Sequence, residues 1–205
     1  MYCAIIGDIV KSKKIINRND VQKKFQKIIN EMNLLYKNSI ASNFTITLGD
    51  EFQGLLFKPA KSYNIVKEIS IKMEPIKFVY GIGIGEITTE INKEISIGSD
   101  GSAYHYARNM VNKAKKKKPS ICYYGSGKSD ELINSLIYFI QSCSERRTVK
   151  QKQAVELYEK YNSQEIVGEK LGLSAQSSIS SLLKKGYYHE IERAEGTILN
   201  YLKDI

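Results

Sequence analysis

Cysteine and histidine, the side chains that most often build transition-metal and redox sites, are scarce in this chain. Its 205 residues include three cysteines and two histidines. Cys3, Cys122 and Cys143 lie far apart and outside any CxxC spacing, so we expect buried free thiols of a reducing compartment. His105 and His189 are too isolated for a metal site or a catalytic triad.

Long hydrophobic runs and a complete phosphate-binding loop are also missing. No apolar run approaches the roughly 20 residues that cross a bilayer. The first residues show neither a basic segment nor an apolar leader with a cleavage site, so we expect a cytoplasmic protein without a membrane partner. Residues 125–129 read GSGKS, but the pattern GxxxxGK(S/T) would require glycine where Cys122 stands. We interpret this segment as a flexible joint.

The charge of the chain favours a polyanionic partner. There are 31 Lys and Arg against 22 Asp and Glu, a formal net charge of +9 at pH 7. Such a partner is either a nucleic acid or a phosphorylated small molecule. An AT-rich coding genome, which enriches lysine, isoleucine and asparagine, stays open as an alternative explanation. The length suits one sizeable core plus a small second domain.

Carboxylates stand at two places where a sheet would bring them together. Asp8 ends an apolar run at residues 3–10 that reads as a buried strand. Residues 44–56 form two short runs rich in aromatic and β-branched residues, joined by a turn with Gly49, Asp50 and Glu51. Several nucleotide-polymerising enzymes use such a pair of acids to hold Mg²⁺ against a triphosphate.

A basic turn follows the strand that ends at Asp8. Lys11, Ser12 and Lys13 precede an amphipathic stretch that opens at residues 17–20 and has helical spacing. The turn therefore lies at the carboxyl end of the strand, where backbone amides and lysines can bind the phosphates of a nucleotide. A solvated lysine loop is the alternative.

The rest of the first part predicts one mixed sheet covered by helices. The order is strand, helix, hairpin, helix, strand, helix and a short last strand at residues 120–124. Glycines at positions 81, 83 and 85 leave one face of the strand at residues 78–87 without side chains. Either a ligand or a tightly packed helix approaches that face. Residues 88–98 are predicted to form an exposed hairpin or loop.

From residue 144 onward, strand signals end and short helices follow. Thr148 and Ser163 can cap two successive helices, and a turn at residues 172–174 leads into a third. This order indicates a helix-turn-helix, in which Gly168 lets two helices cross closely and Ile179 and Leu182 face inward. We divide the chain into a sheet domain (1–128), a connecting helix (129–143) and a helix-turn-helix domain (144–205).

The outward face of the last helix of this motif is the predicted DNA-binding surface. Glutamine can pair with adenine in the major groove, while serine and lysine mostly contact phosphates or either type of base. A packing module that merely looks like the motif is the alternative. The candidate residues are Gln176, Ser177, Ser180, Ser181, Lys184 and Lys185.

Three segments resemble the catalytic domain of class III nucleotidyl cyclases. They are residues 6–10 (IGDIV), 47–52 (TLGDEF) and 80–87 (YGIGIGEI), the last followed by a helix that contains Ala107 and Arg108. Residues 48–52 also resemble the GGDEF signature of diguanylate cyclases, with Leu48 replacing the first glycine. Over nearly all of its length, C-terminal helices included, the chain is most similar to the bacterial SatD family.

The cyclase resemblance implies a fold and a set of site residues. The fold class would be α+β, a ferredoxin-like palm domain followed by a small all-α helix-turn-helix domain. Asp8 and Asp50 would be catalytic ligands of Mg²⁺ or Mn²⁺, with Glu51 a third candidate ligand. Arg108 would steady the phosphate in the transition state.

Two positions depart from the cyclase pattern. Tyr104 replaces an asparagine and could stack on the base of a nucleotide, and Ile46 replaces the base-selecting lysine. Asp100 is the candidate for the base-selecting aspartate. Because such sites form between two subunits, the resemblance implies a homodimer.

We therefore predict a two-domain regulator. Its palm domain would bind a nucleoside triphosphate with a metal ion, and its helix-turn-helix would bind DNA. The first alternative is an active nucleotidyl cyclase or nucleotidyltransferase that makes a signalling nucleotide. The second is a degenerate palm that serves only as a scaffold for dimerisation.

Overall fold

The computed structural model describes residues 1–173 and 175–205. Within them the chain forms two compact units, residues 1–135 together with 199–205, and residues 136–198. Ser174, which belongs to the predicted turn of the helix-turn-helix, lies outside the described residues.

A five-stranded sheet with flanking helices forms the described first unit. Its neighbouring strands lie in the order β2-β3-β1-β4-β5 and are antiparallel, except for β4 and β5. The βαββαβ succession is that of ferredoxin-like folds, which confirms the predicted α+β arrangement of this part. In chain order the elements are β1 (Tyr2–Ile9), α1 (Arg18–Leu35), β2 (Ile40–Ile46), β3 (Glu51–Leu56), α2 (Ser62–Met73), β4 (Phe78–Gly85), α3 (Ser102–Lys116), β5 (Ile121–Tyr124) and the start of α4 (Asp130–Glu145).

Different helices cover the two faces of the sheet, and the alternation of side chains along each strand decides which residue meets which helix. Phe25 of α1 packs edge-on against Phe52 of β3, with ring centroids 5.9 Å apart. On the opposite face, Ala107 of α3 belongs to a buried cluster with Ile6 of β1. Asp8 follows Ile6 by two residues and therefore lies on the α3 face.

Helix α3 packs directly on the glycines of β4. A β-carbon on Gly81 would overlap the carbonyl oxygen of Ala107, and one on Gly83 would overlap that of Ala103. The missing side chains thus let helix and strand backbones touch. Of the two alternatives that the sequence left open, the tightly packed helix is confirmed.

Residues 86–101 connect β4 to α3 without helix or strand. The prediction of an exposed segment at residues 88–98 is wrong at Ser96, which is fully buried. The Ser96 hydroxyl donates to the carbonyl of Gln53 at 2.8 Å, and the Gln53 side-chain amide donates to the carbonyl of Ser96 at 2.7 Å. These bonds dock the loop on β3.

The GSGKS segment is an ordered start to α4. The Asp130 carboxylate accepts hydrogen bonds from the backbone amides of Gly125 (3.0 Å) and Ser126 (2.9 Å) and from the Ser126 hydroxyl (2.6 Å). These bonds fix the turn, so our interpretation as a flexible joint is wrong. The three cysteines are buried and free, as predicted.

The second unit consists of helices in its described residues. Besides the end of α4 they are α5 (Val149–Tyr161), α6 (Gln164–Leu171), α7 (Gln176–Lys185) and most of α8 (Tyr188–Asp204). Thr148 caps α5 in a capping box and Ser163 caps α6, as predicted. No helix in the described ranges is long and apolar enough to span a membrane.

Two details of the predicted helix-turn-helix differ from the structure. A β-carbon on Gly168 would lie 2.8 Å from the carbonyl oxygen of Leu173 and 3.8 Å from Cγ1 of Ile179 on α7, so the turn approaches this glycine more tightly than the neighbouring helix does. On α7, Ile179 and Leu183 are buried, because they are four residues apart and share one helix face. Leu182, which we placed inside, is only partly buried.

Gly81→Ala is expected to lower the free energy of unfolding by about 3 kcal/mol or more, because the added carbon meets backbone atoms that cannot rotate away. The control is Gly196→Ala in α8, where a β-carbon meets nothing within 4 Å. That change should be neutral or stabilise by up to about 1 kcal/mol. Urea unfolding followed by circular dichroism measures both, and an unaffected Gly81→Ala protein would contradict the close packing.

Candidate functional site

The two predicted acids, Asp8 and Asp50, meet at one end of the sheet. Asp8 is paired in register with Glu51 of β3 and with Val79 of β4. The Ile9 amide donates to the carbonyl of Asp50 at 2.9 Å, which fastens the hairpin turn to the end of β1. Both acids line the same cleft, of about 600 Å³.

Lysines surround these acids. The β1–α1 connection supplies three of them, and the last turn of α3 supplies one. Four lysines thus line the cleft beside two carboxylates, so an anion with several charges is attracted to it. The lysines are Lys11, Lys13, Lys14 and Lys115.

A salt bridge holds Asp8. The Lys115 ammonium lies 2.7 Å from Oδ2 of Asp8, and the side chains are 43% and 16% exposed respectively. Burial raises the pKa of Asp8, and the nearby carboxylates of Asp50 and Glu51 add to the rise, while Lys115 opposes it. A positive charge beside Asp8 therefore favours the ionised form of its carboxylate.

Asp50 has a different partner. The Ser12 hydroxyl donates to Oδ2 of Asp50 at 2.6 Å. Ser12 belongs to a short turn at residues 12–14, entered through Lys11 in the left-handed conformation with φ 56°. This bond connects the lysine turn to the hairpin that carries the acids.

Glu51 binds Arg108 rather than facing the cleft. The guanidinium of Arg108 donates to both carboxylate oxygens, one of these bonds being 2.8 Å long, and the Thr47 hydroxyl donates to Oε1 at 3.1 Å. Burial alone would raise the pKa of Glu51, but these partners outweigh it and the pKa is lowered. Glu51 and Arg108 are not among the residues that line the cleft.

The structure separates two predicted nucleotide-binding residues from the cleft. Because α3 starts beside Gly85 and runs back along β4, Asp100 and Tyr104 lie near the opposite end of the helix from Lys115. Eleven residues of helix between Tyr104 and Lys115 correspond to roughly 16 Å. Asp100 pairs with His105 at 3.0 Å, and Tyr104 is 7% exposed.

Lys115 is the cleft residue of α3 that sequence reasoning missed. It stands in a run of four lysines, residues 115–118, that reads as a solvated helix end. Its position relative to the apolar side of α3 could have identified it. Ala107, Val111 and Ala114 form the buried side of the helix, and the next residue therefore lies at the border of that side, over the end of β1.

Two of the three predicted ligands suit a divalent cation. Asp8 and Asp50 line the cleft with carboxylate oxygens, which are hard ligands preferred by Mg²⁺. Glu51 instead uses both oxygens for Arg108. No cluster of three or more Asp, Glu, His or Cys side chains arranged for a metal occurs among the described residues. One or two carboxylates, completed by phosphates and water, are nevertheless the usual protein share of a Mg²⁺–nucleotide site.

A second cavity, of about 630 Å³, lies at the other end of the sheet. Its walls carry three carboxylates, those of Glu86, Asp130 and Glu131, against the single lysine Lys128. It therefore suits a phosphorylated ligand less well than the lysine-lined cleft does.

The predicted DNA-binding face is solvent-accessible. Gln176, Ser177, Ser180, Lys184 and Lys185 are exposed and Ser181 is half-buried. The charge of the second unit is nearly balanced, however. Residues 136–198 carry nine Lys or Arg against eight Asp or Glu, a net of +1, while the first unit carries 22 against 14, a net of +8.

Arg108→Ala is expected to lower the free energy of unfolding by about 2 kcal/mol, because it removes the cation that pairs with the buried Glu51 carboxylate. The figure is moderate because the Arg108 side chain is 42% exposed. The double variant Arg108→Ala/Glu51→Gln should regain about 1 kcal/mol or more, since it removes the charge as well. Urea unfolding of both variants tests this, and a double variant no more stable than Arg108→Ala would contradict it.

The comparisons with known proteins give one family and several remote structural similarities. The sequence model of the SatD family matches residues 2–190. No match was found among curated proteins. A bacterial light-regulated adenylyl cyclase is 11% identical with a TM-score of 0.38, over 60% of this chain and 74% of that one. The catalytic core of a rhodopsin-guanylyl cyclase with converted specificity, in complex with ATPαS, is 15% identical with a TM-score of 0.40, over 60% and 76%.

Proposed function

The chain belongs to the SatD family, and we propose that its first unit binds a nucleoside triphosphate together with Mg²⁺ or Mn²⁺. The observation that carries this proposal is the convergence of Asp8 and Asp50, from different elements, in one lysine-lined cleft of about 600 Å³. Acids and lysines side by side suit a ligand that is both a polyanion and a carrier of a divalent cation.

Each group of the cleft has a role in this proposal. Asp8 and Asp50 would hold the divalent cation, while Lys11, Lys13 and Lys14 attract the phosphates. Ser12 keeps the lysine turn in place through its bond to Asp50. A divalent cation at this position neutralises phosphate charge and, in an enzyme, lowers the pKa of an attacking ribose hydroxyl.

Binding is better supported than catalysis within one chain. The guanidinium of Arg108, the predicted transition-state ligand, is engaged by Glu51 and lies outside the cleft lining. An active nucleotidyl cyclase or nucleotidyltransferase would need this arginine to leave Glu51, or would need a group from a second subunit of a homodimer. Glu51 is accordingly proposed as the partner of Arg108, with Asp8 and Asp50 alone as metal ligands.

DNA binding by the second unit is a further candidate function, which would make the protein a nucleotide-controlled regulator. Its support is local: α6 and α7 follow each other closely, Gly172 turns the chain with φ +64°, and the Leu173 amide donates to the Gly168 carbonyl at 2.8 Å. Lys184 and Lys185 stand exposed in the last turn of α7, where they can contact phosphates.

The nucleotide proposal predicts that one of ATP, GTP, CTP and UTP, with Mg²⁺ or Mn²⁺, raises the melting temperature of the protein. Asp8→Asn and Asp50→Asn should abolish the rise, because each removes a charge from the cation site. Asp20→Asn, an equal change at an exposed position of α1, should retain it. A parent protein that responds to none of the nucleotides would contradict the proposal.

Mass spectrometry of the same mixtures decides between binding and catalysis. A cyclic or linked nucleotide made by the parent protein and missing with Asp50→Asn would establish the enzyme. A melting response without any product would establish nucleotide binding without catalysis and would favour the nucleotide-controlled regulator. If the protein shows no melting response and makes no product, the dimerisation scaffold is favoured.

The DNA proposal predicts that Lys184→Gln/Lys185→Gln weakens binding to every DNA sequence. The salt dependence of the binding constant should flatten by about one unit per lost phosphate contact. Lys150→Gln/Lys152→Gln on α5 makes the same change in charge elsewhere in the unit and serves as the control. Equal effects of the two pairs in fluorescence anisotropy titrations would contradict the placement on α7.

A further inference from the structure

We propose that Lys115 is an exchangeable counter-ion of the cleft. It neutralises Asp8 until a divalent cation takes over that carboxylate, and it then binds the phosphates of the ligand that accompanies the cation. This inference rests on the proposed nucleotide site and assigns its regulation to one side chain.

The first support is the position of the ammonium group. Nζ of Lys115 lies 2.7 Å from Oδ2 of Asp8, so lysine and a divalent cation would compete for the same oxygen. The two side chains differ in exposure, with Asp8 16% and Lys115 43% exposed. Lys115 can therefore withdraw into solvent more readily than Asp8 can.

The second support is the fixed position of the helix behind Lys115. The backbone of α3 touches that of β4 at Gly81 and Gly83, so the helix cannot retreat when a ligand enters the cleft. A change of partner must then occur in the lysine side chain, whose four-carbon stem is flexible. The other cleft lysines come from the β1–α1 connection, so a released Lys115 would add a phosphate ligand from a different element.

The third support is the difference between Lys115 and its neighbours. Lys116 directly follows it and is exposed, but is not among the residues that line the cleft. The two lysines carry the same charge on the same helix turn. A general electrostatic effect of the lysine run would involve both, while the proposed exchange involves Lys115 alone.

The first test measures Mn²⁺ alone, by titration calorimetry or by the electron paramagnetic resonance signal of the free ion. Lys115→Met should bind Mn²⁺ roughly threefold to tenfold more tightly than the parent protein, the range expected when a partly exposed ion pair no longer competes. Lys116→Met should differ little from the parent. Lys115→Arg keeps a cation beside Asp8 and should not show the gain.

The second test measures inorganic tripolyphosphate in the presence of saturating Mn²⁺. Here Lys115→Met should bind tripolyphosphate more weakly than both the parent protein and Lys116→Met, because a lysine that contacts the phosphates is lost. One substitution thus strengthens binding of the cation and weakens binding of the polyanion. A lysine with a merely structural role would not produce opposite signs.

The outcomes separate this inference from the proposed function. If the parent protein binds Mn²⁺ and Lys115→Met and Lys116→Met behave alike, the exchange is wrong while the nucleotide site stands. If neither the parent nor Lys115→Met binds Mn²⁺, the exchange is overturned, while the melting response to nucleotide with metal tests the nucleotide site separately. If Lys115→Met binds Mn²⁺ and the parent protein does not, Lys115 fully blocks the cation in the parent protein, which supports the exchange. Circular dichroism of each variant confirms that it is folded.

Discussion

The contact between the backbone of α3 and the glycines of β4 determines where the two cations of α3, Arg108 and Lys115, lie relative to the acids of the sheet. Helices usually pack on sheets through side chains, which leaves the distance between them adjustable. Here the alternating glycines remove that layer, and the helix position follows from atoms of the main chain. Arg108 and Lys115 are consequently held above Glu51 and Asp8, at distances that allow direct ion pairs.

The three acids of the site show how position sets chemical role. Glu51 is the most enclosed, and a guanidinium with two parallel hydrogen bonds compensates its charge. Asp8 is at the border of the cleft and has a flexible ammonium as partner, while Asp50 accepts a neutral hydroxyl. From Glu51 through Asp8 to Asp50, the protein thus neutralises the negative charge of the carboxylate less and less. The two acids proposed to bind a cation are the two that the protein neutralises least.

The succession of strands and helices along the first unit, the meeting of Asp8 with the hairpin and both helix caps could be predicted from the sequence, because patterns within each segment indicate them. What it did not reveal depends on the register between distant elements. Lys115 looks like any lysine of its run until α3 is placed on β4, and the separation of Asp100 from the acids follows from the direction of that helix. The pairing of Glu51 with Arg108 could not be predicted either, since both residues also suit a catalytic role.

The backbone contact between α3 and β4 also has an evolutionary consequence. Small inward residues such as Ala103 and Ala107 encode the docking of the helix, whereas the residues beside them supply its charges. The residues that pack the helix and the residues that carry its charges therefore occupy different positions of the same fifteen-residue helix. Descendants of such a protein can exchange one chemistry for another, or lose it, without losing the fold, so divergence in activity among relatives need leave no trace in their architecture.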